Sequence, residues 1–358
     1  MNAWPTIQSL RARAVDVPIA PLRTASGTIA SCPLVLIDVA TSDGLVGRSY
    51  LFAYTRACLA PLAGLVRNFE PLVCGHSASP FEVAAHLDAT FRLVGTGGLM
   101  AMALGGLDMA LWDARAKACG QPLAVTLGGE PKKLPAYWSV GMCAPAEARQ
   151  AAEAALAHGC RALKIKIGFP DLADDVAAIR AVREVGGTAL QMMVDYNQSL
   201  SVPEAHRRIR LLEAEALHWI EEPLRAEDCA GHAAIAREAA TPIQLGENWS
   251  GVAEMAKSVA AGASDLAMVD VMKIGGVTGW LRAAALAEAH GLPVSSHLFP
   301  EFSAHALAVT PTAHWLEYLD LASAVLREPA RVVDGCVPAS AAPGAGIEWN
   351  ETAVEKYA

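Results

Sequence analysis

Three acidic residues close three apolar runs at one fixed interval: Asp195 in Met-Met-Val-Asp-Tyr-Asn, Glu221 in His-Trp-Ile-Glu-Glu-Pro, and Glu247 in Gln-Leu-Gly-Glu-Asn, with 26 residues from each to the next. One strand, one loop and one covering helix of a parallel βα repeat consume about that length of chain. The spacing therefore predicts three neighbouring parallel strands whose C-terminal ends hold carboxylates side by side at one height.

Like charges converging in a partly dry cavity repel and raise one another's pKa unless a divalent cation neutralises them. An all-oxygen donor set selects a hard ion. Mg²⁺ fits best, held at about 2.0–2.1 Å with positions left for water or substrate, and Mn²⁺ is its natural substitute. Zinc favours His and Cys ligands, which these segments lack. A helix-capping role explains one such acid but not three in register.

The 358 residues, 53% hydrophobic and 18% charged, suffice for a large core and two domains. A net charge of −9 and a pI near 5.6, without a Lys/Arg run, leave nothing to neutralise a phosphate backbone, so nucleic acid is excluded as a partner. No basic segment leads into an apolar one at the start, and helices such as 280–290 are punctuated by charge, which predicts a cytoplasmic protein without membrane contact. The eight cysteines form no C-x-x-C pair and read as free thiols.

Residues 1–130 read as an α+β domain. Strands at 8–19 and 33–52, the latter folded at Ser42-Asp43-Gly44, precede helices near 56–69, 80–94 and 98–118. Residues 131–320 alternate short apolar strands with Ala-rich helices, the mark of a covered parallel sheet. Strands are expected near 135–140, 162–167, 191–195, 217–221, 243–247, 266–271, 293–297 and 314–318, with helices near 144–158, 172–184, 203–215, 229–239, 251–262, 280–290 and 302–309. Eight strands and seven helices predict an α/β fold, a modified TIM barrel (β/α)7β with the first domain as its cap; an open doubly wound sheet is the alternative. Residues 321–358 lose the repeat and are expected to pack back on the cap.

In Ala162-Leu-Lys-Ile-Lys-Ile-Gly168, Lys164 and Lys166 share one strand face while isoleucines take the other, so both lysines point into the barrel. Two close ammonium groups and partial burial lower each other's pKa, which makes a neutral lysine base accessible. Asp270 and His297, 27 residues apart, end neighbouring strands, and a carboxylate on one imidazole nitrogen leaves the other as a base. His305 and His314 read as structural. The last strand brings Glu317 to the same rim, where it reads as a proton donor to a developing oxyanion. A lysine before the metal ligands and a histidine after them place a base on each side of a chelated substrate, which is the geometry of stereochemical inversion.

These residues resemble the enolase superfamily and, within it, the mandelate racemase subgroup. The likeness runs through Pro33-Leu-Val-Leu-Ile-Asp, Ser49-Tyr-Leu-Phe-Ala-Tyr54, Val194-Asp-Tyr-Asn-Gln-Ser-Leu, Trp219-Ile-Glu-Glu-Pro, Gly246-Glu-Asn-Trp, Met272-Lys-Ile-Gly-Gly-Val-Thr-Gly-Trp, Ser295-Ser-His-Leu-Phe and Thr312-Ala-His-Trp-Leu-Glu. It implies that Asp195, Glu221 and Glu247 bind Mg²⁺, that Lys166 serves the S enantiomer, and that His297 with Asp270 serves the R enantiomer. Lys164 would then pair with the substrate carboxylate, Glu317 would hydrogen-bond it, and Asn197 would lend polar support. A mobile loop, about Leu22 to Ile29, would close over the substrate and exclude water. Leu22, Ser26, Ile29, Tyr54, Leu298 and Leu319 would surround the substrate, with Ser139 in a segment that diverges from the subgroup. The polar Ser26 replaces an apolar residue of the subgroup, and Ile165 replaces a threonine.

The expected partner is a small 2-hydroxy carboxylate of mandelate type, racemised through an enediolate, and the resemblance implies a homo-oligomer, an octamer. The sister reading is an acid-sugar dehydratase. From other classes, a Schiff-base lyase using a barrel lysine and a phosphate loop at Gly275-Gly276-Val-Thr-Gly279 leave the acidic triad unexplained, and a non-catalytic scaffold that retains the fold is a third alternative.

Overall fold

The structure, a computed structural model, describes residues 4–358. The chain opens with an antiparallel sheet, β1 (Ile7–Thr24), β2 (Gly27–Thr41) and β3 (Val46–Phe52), in the order β1-β2-β3. The turn expected at Ser42-Asp43-Gly44 is present, with Gly44 at φ +84° and Leu36 paired to Tyr50. Helices α1 (Arg56–Arg67), α2 (Glu70–Val73), α3 (Pro80–Thr90), α4 (Leu99–Ala118) and α5 (Leu123–Thr126) follow. The 20-residue α4 lies on β2 and β3, where Gly106 allows close approach: a Cβ there would stand 2.7 Å from Ile37 Cδ1.

The segment expected to be a mobile loop at 22–29 is the end of the β1/β2 hairpin, with Leu22 paired to Ile29, Arg23 to Thr28 and Thr24 to Gly27. A register shift between Pro18 and Leu22 breaks the alternation that signals a strand, so the pattern stops short of where the pairing does.

Eight parallel strands follow: β4 (Lys133–Met142), β5 (Ala162–Lys166), β6 (Gln191–Asp195), β7 (Trp219–Glu221), β8 (Ile243–Leu245), β9 (Leu266–Asp270), β10 (Val294–His297) and β11 (Leu316–Tyr318). Each pairs with the next through β10, and β11 pairs with β4. Hydrogen bonds from Val294 N to Thr312 O, His314 N to Val294 O and Ser296 N to Trp315 O, 2.8–2.9 Å long, close the ring between β10 and the approach to β11. Seven helices lie between these strands: α6 (Pro145–Ala157), α7 (Leu172–Gly186), α8 (Val202–Leu212), α9 (Cys229–Glu238), α10 (Val252–Ala261), α11 (Gly276–Ala289) and α12 (Pro300–Ala308). The fold is the capped (β/α)7β barrel.

Helix α11 starts four residues before its expected place, because Gly275 and Gly276 read as loop. At φ +102° and +72° they turn the chain into the helix, and Asp108 of α4 reaches across to accept the Thr278 N–H at 2.9 Å. A carboxylate of the cap thus occupies the helix end where a phosphate loop would need an anion. His305 of α12 accepts the Ala124 N–H of α5 at 3.1 Å, and His314 packs against His218 and Trp315 near the start of β11; both are structural.

The tail forms β12 (Cys336–Pro338), antiparallel to the start of β4, and α13 (Glu351–Tyr357). Trp349 Nε1 donates to Asp38 Oδ1 at 2.7 Å, while Glu348 and Glu351 pair with Arg48 and Arg13 at 2.6 and 2.5 Å. Among the described residues no helix is long and apolar enough to cross a membrane. All eight cysteines are free.

Candidate active site

Parallel strands ending at one level deliver their last side chains to one rim. Asp195, Glu221 and the residue after β8's loop turn, Glu247, place one oxygen each within 4.8 Å of one another. Asp195 and Glu221 are wholly buried and Glu247 is 7% exposed. Glu247 Oε2 is buried without a hydrogen-bond partner, an orphan that ligation to a cation would satisfy. Burial, and then neighbouring carboxylates, push Glu221 well above the usual carboxylate range despite Lys164. Crowded acids, an unused oxygen and the absence of a nitrogen or sulfur donor in the triad fit Mg²⁺.

Lys164 is fully buried beneath the triad, its Nζ 2.7 Å from Glu221 Oε1, 2.9 Å from Glu317 Oε1 and 4.0 Å from Asp195 Oδ2. Lys166 Nζ lies 2.6 Å from Asp195 Oδ2. The mutual depression expected of the two lysines is overridden. Burial lowers both, but Glu221 and Glu317 outweigh it at Lys164 and Asp195 outweighs it at Lys166, so both stand above the ordinary lysine range. The strand pattern shows the two ammonium groups, but not the carboxylates that neighbouring strands bring against them.

His297 Nδ1 meets Asp270 Oδ2 at 2.6 Å, and its Nε2 faces Glu247 Oε2 at 3.4 Å and Glu317 Oε2 at 3.9 Å. Burial lowers its pKa, yet Glu247 and Asp270 raise it above the usual value on balance. Glu317, expected as a protonated donor, is ionised in this arrangement. Burial pushes it up, but Lys164, His297 and Lys166 bring it down to about 2. Leu298 N–H donates to its Oε2 at 3.1 Å.

Asn197 braces Asp195, its N–H and Nδ2 donating to the two carboxylate oxygens at 2.7 and 2.9 Å. Its carbonyl accepts the Ser26 hydroxyl at 2.9 Å, which ties the hairpin tip to the barrel. Arg23 pairs with Glu147 of α6 beside it. Gly141 and Gly168 leave room for the tip: a Cβ at either would stand 2.8 Å from Arg23 O or 2.9 Å from Ala25 Cβ.

A cavity of about 540 Å³ opens between hairpin and rim. It is lined by Lys166, Glu247, His297 and Glu317, and by Leu22, Ser26, Ile29, Tyr54, Asn197, Leu298 and Leu319 from the expected set. Lys164 and Ser139 do not line it; Ser139 is 3% exposed and sits beside Lys164 in the β4/β5 register. Phe52, Met102, Gln198, Asn248 and Lys273 also line the cavity and were not foreseen. Lys273 Nζ donates to Asn248 Oδ1 at 2.6 Å and lies 4.4 Å from the Tyr54 ring centroid, while Asn248 Nδ2 donates to Glu222 Oε2 at 2.7 Å. Their signal was available, since Asn248 follows a triad acid and Lys273 lies in Met272-Lys-Ile-Gly-Gly.

Residues 146–353 match the family Enolase C-terminal domain-like, and residues 7–128 match the N-terminal domain of the mandelate racemase / muconate lactonizing enzyme family. A 3,6-anhydro-alpha-L-galactonate cycloisomerase of Streptomyces coelicolor is 33% identical over 95% of this chain and 96% of its own. An L-talarate/galactarate dehydratase of Salmonella typhimurium is 33% identical over 73% of this chain and 66% of its own. A crystal structure of an enolase from Bradyrhizobium complexed with magnesium and mandelic acid superposes with a TM-score of 0.97 at 48% identity, covering 100% of this chain and 99% of the other. With the acidic triad at its rim and a barrel capped in the same way, the chain belongs to the enolase superfamily and is a magnesium-dependent enzyme of its mandelate racemase-like branch.

Proposed function

We propose that this chain is a cytoplasmic racemase that removes the α-proton of a 2-hydroxy carboxylate bearing an apolar aryl group, mandelate being the first candidate, and returns a proton to the opposite face. One observation carries the reading: Lys166 and His297, the latter paired to Asp270, line a single cavity from opposite ends of the carboxylate triad in ring order. Racemisation uses both groups as bases on opposite faces of one carbon, whereas a dehydratase would use the histidine as the acid that expels a β-hydroxyl.

Asp195, Glu221 and Glu247 would hold Mg²⁺, which neutralises them and polarises the substrate carboxylate, acidifying the α-carbon. Lys166 takes the proton from the S enantiomer, and His297 takes it from the R enantiomer through Nε2. Asp270 orients the imidazole by accepting at Nδ1. A substrate carboxylate brought against Glu317 adds a second like charge, and two carboxylates in one site share one proton. Glu317 thereby becomes a donor to the enediolate oxygen, with Lys164 supplying positive charge behind it.

Leu22, Ile29, Phe52, Tyr54, Met102, Leu298 and Leu319 give the cavity an apolar wall, where burying an aryl ring contributes roughly 1.5–3 kcal/mol. The Ser26 hydroxyl donates to Asn197 O, so its polarity serves hairpin docking. The Bradyrhizobium enolase, similar across the whole chain, was crystallised with mandelic acid.

An acid-sugar dehydratase is the second reading, favoured by the polar strip of Gln198, Asn248 and Lys273 on the cavity wall and by similarity to the talarate/galactarate enzyme. Circular dichroism of (R)-mandelate with enzyme and Mg²⁺ separates the two. Loss of optical activity supports the racemase; a constant signal, with a 2-keto acid formed from galactarate, supports the dehydratase. We also propose assembly into a homo-oligomer, an octamer by resemblance, and light scattering at monomer mass would oppose it.

A further inference from the structure

Leu298 and Phe299, the two residues after His297, are both left-handed at φ 51° and 49°. L side chains resist that backbone, and it persists only where surrounding contacts over-determine it. The contacts come from three directions. Within α12, Ser303 Oγ and N–H donate to Leu298 O and Phe299 O at 2.7 and 2.8 Å. From the cap, the Tyr50 ring lies 5.1 Å from the Phe299 ring, and the Tyr50 hydroxyl donates to Glu301 Oε2 at 2.6 Å. From the tail, Ala330 N–H donates to Glu301 Oε1 at 3.1 Å.

Tyr50 and Glu301 are 1% and 8% exposed, and neither lines the substrate cavity. They grip the first turn of α12, whose preceding residues hold His297 on one side and aim the Leu298 N–H at Glu317 on the other. Lys166 stands apart from this grip. It is carried by β5 and held by Asp195, and Glu317 keeps Lys164 as a second anchor besides the Leu298 N–H.

We propose that Tyr50 and Glu301 are positioning residues for the histidine side of the site, a clamp by which the cap strand fixes the Leu298–Phe299 turn and hence the imidazole. The inference rests on the reading of Lys166 and His297 as two opposed bases. Simple interdomain packing would place no such side on its effects. The clamp makes them unequal.

The test is Tyr50→Phe, which removes one hydroxyl and keeps the ring, assayed by α-proton exchange of each mandelate enantiomer in D₂O with saturating Mg²⁺. Exchange from R should fall about tenfold in kcat with KM changed less than about twofold, while exchange from S stays within about twofold. Glu301→Ala should show the same bias, and Glu301→Gln, which keeps the shape and can bond Tyr50 in the reverse sense, should recover most of the loss. A partly unfolded variant lowers both directions by one factor, so equal loss overturns the clamp, as does no loss. Should the wild type exchange neither enantiomer, the racemase reading fails, and the clamp is read separately from ¹⁵N-histidine spectra of the Mg²⁺-loaded protein. The His297 signal, assigned by its loss in His297→Asn, should move or broaden in Tyr50→Phe while those of exposed His76 and His86 stay fixed. An unmoved His297 signal overturns the proposal.

Discussion

Lys166 and His297 lean on carboxylates at opposite ends of one triad, Lys166 Nζ lying 2.6 Å from Asp195 Oδ2 and His297 Nε2 lying 3.4 Å from Glu247 Oε2. Each carboxylate favours the charged form of its neighbouring base, and a cation in the triad would offset that pull. On the proposed mechanism, metal binding would therefore ease deprotonation of both bases.

Metal removal follows directly. Exhaustive chelation should abolish α-proton exchange with either enantiomer, and adding Mg²⁺ back should restore it and raise the unfolding temperature. At one hundred times its dissociation constant the ion adds about 2.7 kcal/mol to stability. Differential scanning calorimetry with and without EDTA reads the second effect, and turnover that survives chelation would refute the first.

Glu317→Gln should slow exchange from both enantiomers by one common factor, on the order of 10²–10³, because a donor to the substrate carboxylate serves either face. The measurement is kcat for each enantiomer separately. A loss confined to one would move Glu317 out of the shared role and into that of a single base's partner.

Ser26→Ala removes the hydroxyl that ties the hairpin tip to Asn197 O. A lost neutral hydrogen bond is worth about 0.5–1.5 kcal/mol, so KM should rise roughly two- to tenfold with kcat little changed. Steady-state kinetics on the favoured substrate checks it; an unchanged KM would mean that the tip is held by Arg23 and packing alone.

Acid sensitivity should trace in part to His305. Burial lowers its pKa to about 4, against about 6.5 in an unfolded chain. Between those values the unfolded state binds the proton and the folded state does not, so stability falls as pH drops from about 6.5 towards 4. The full shift corresponds to something on the order of 3 kcal/mol. Urea unfolding at pH 7 and 4.5 should show a smaller loss for His305→Gln than for the wild type, and parallel losses would assign the sensitivity elsewhere.

The legible parts of this protein are those governed by strict period. Asp195, Glu221, Asp270 and His297 end parallel strands, Glu247 follows β8 by two residues, Glu317 lies within the last strand, and repeat length puts their side chains at one rim. The alternation of Lys164 and Lys166 with isoleucines likewise shows which way they point. What escaped depends on docking between segments far apart in the chain. Met102 and Phe52 reach the cavity only because of how α4 and β3 sit on the barrel, and Asn248 and Lys273 come from loops beyond strand ends. The ionisation of Glu317 escaped because Lys164, 153 residues earlier in the chain, sets it. The hairpin end at 22–29 escaped because a bulge interrupts its pattern.

The central claim is that two independent bases serve opposite faces of one carbon. The direct measurement is ¹H NMR of α-proton exchange in D₂O with Mg²⁺, run on (R)- and (S)-mandelate with wild type, His297→Asn and Lys166→Ala. The account predicts that wild type exchanges both enantiomers, that His297→Asn exchanges only S, and that Lys166→Ala exchanges only R. Equal loss with both enantiomers in either variant would contradict it.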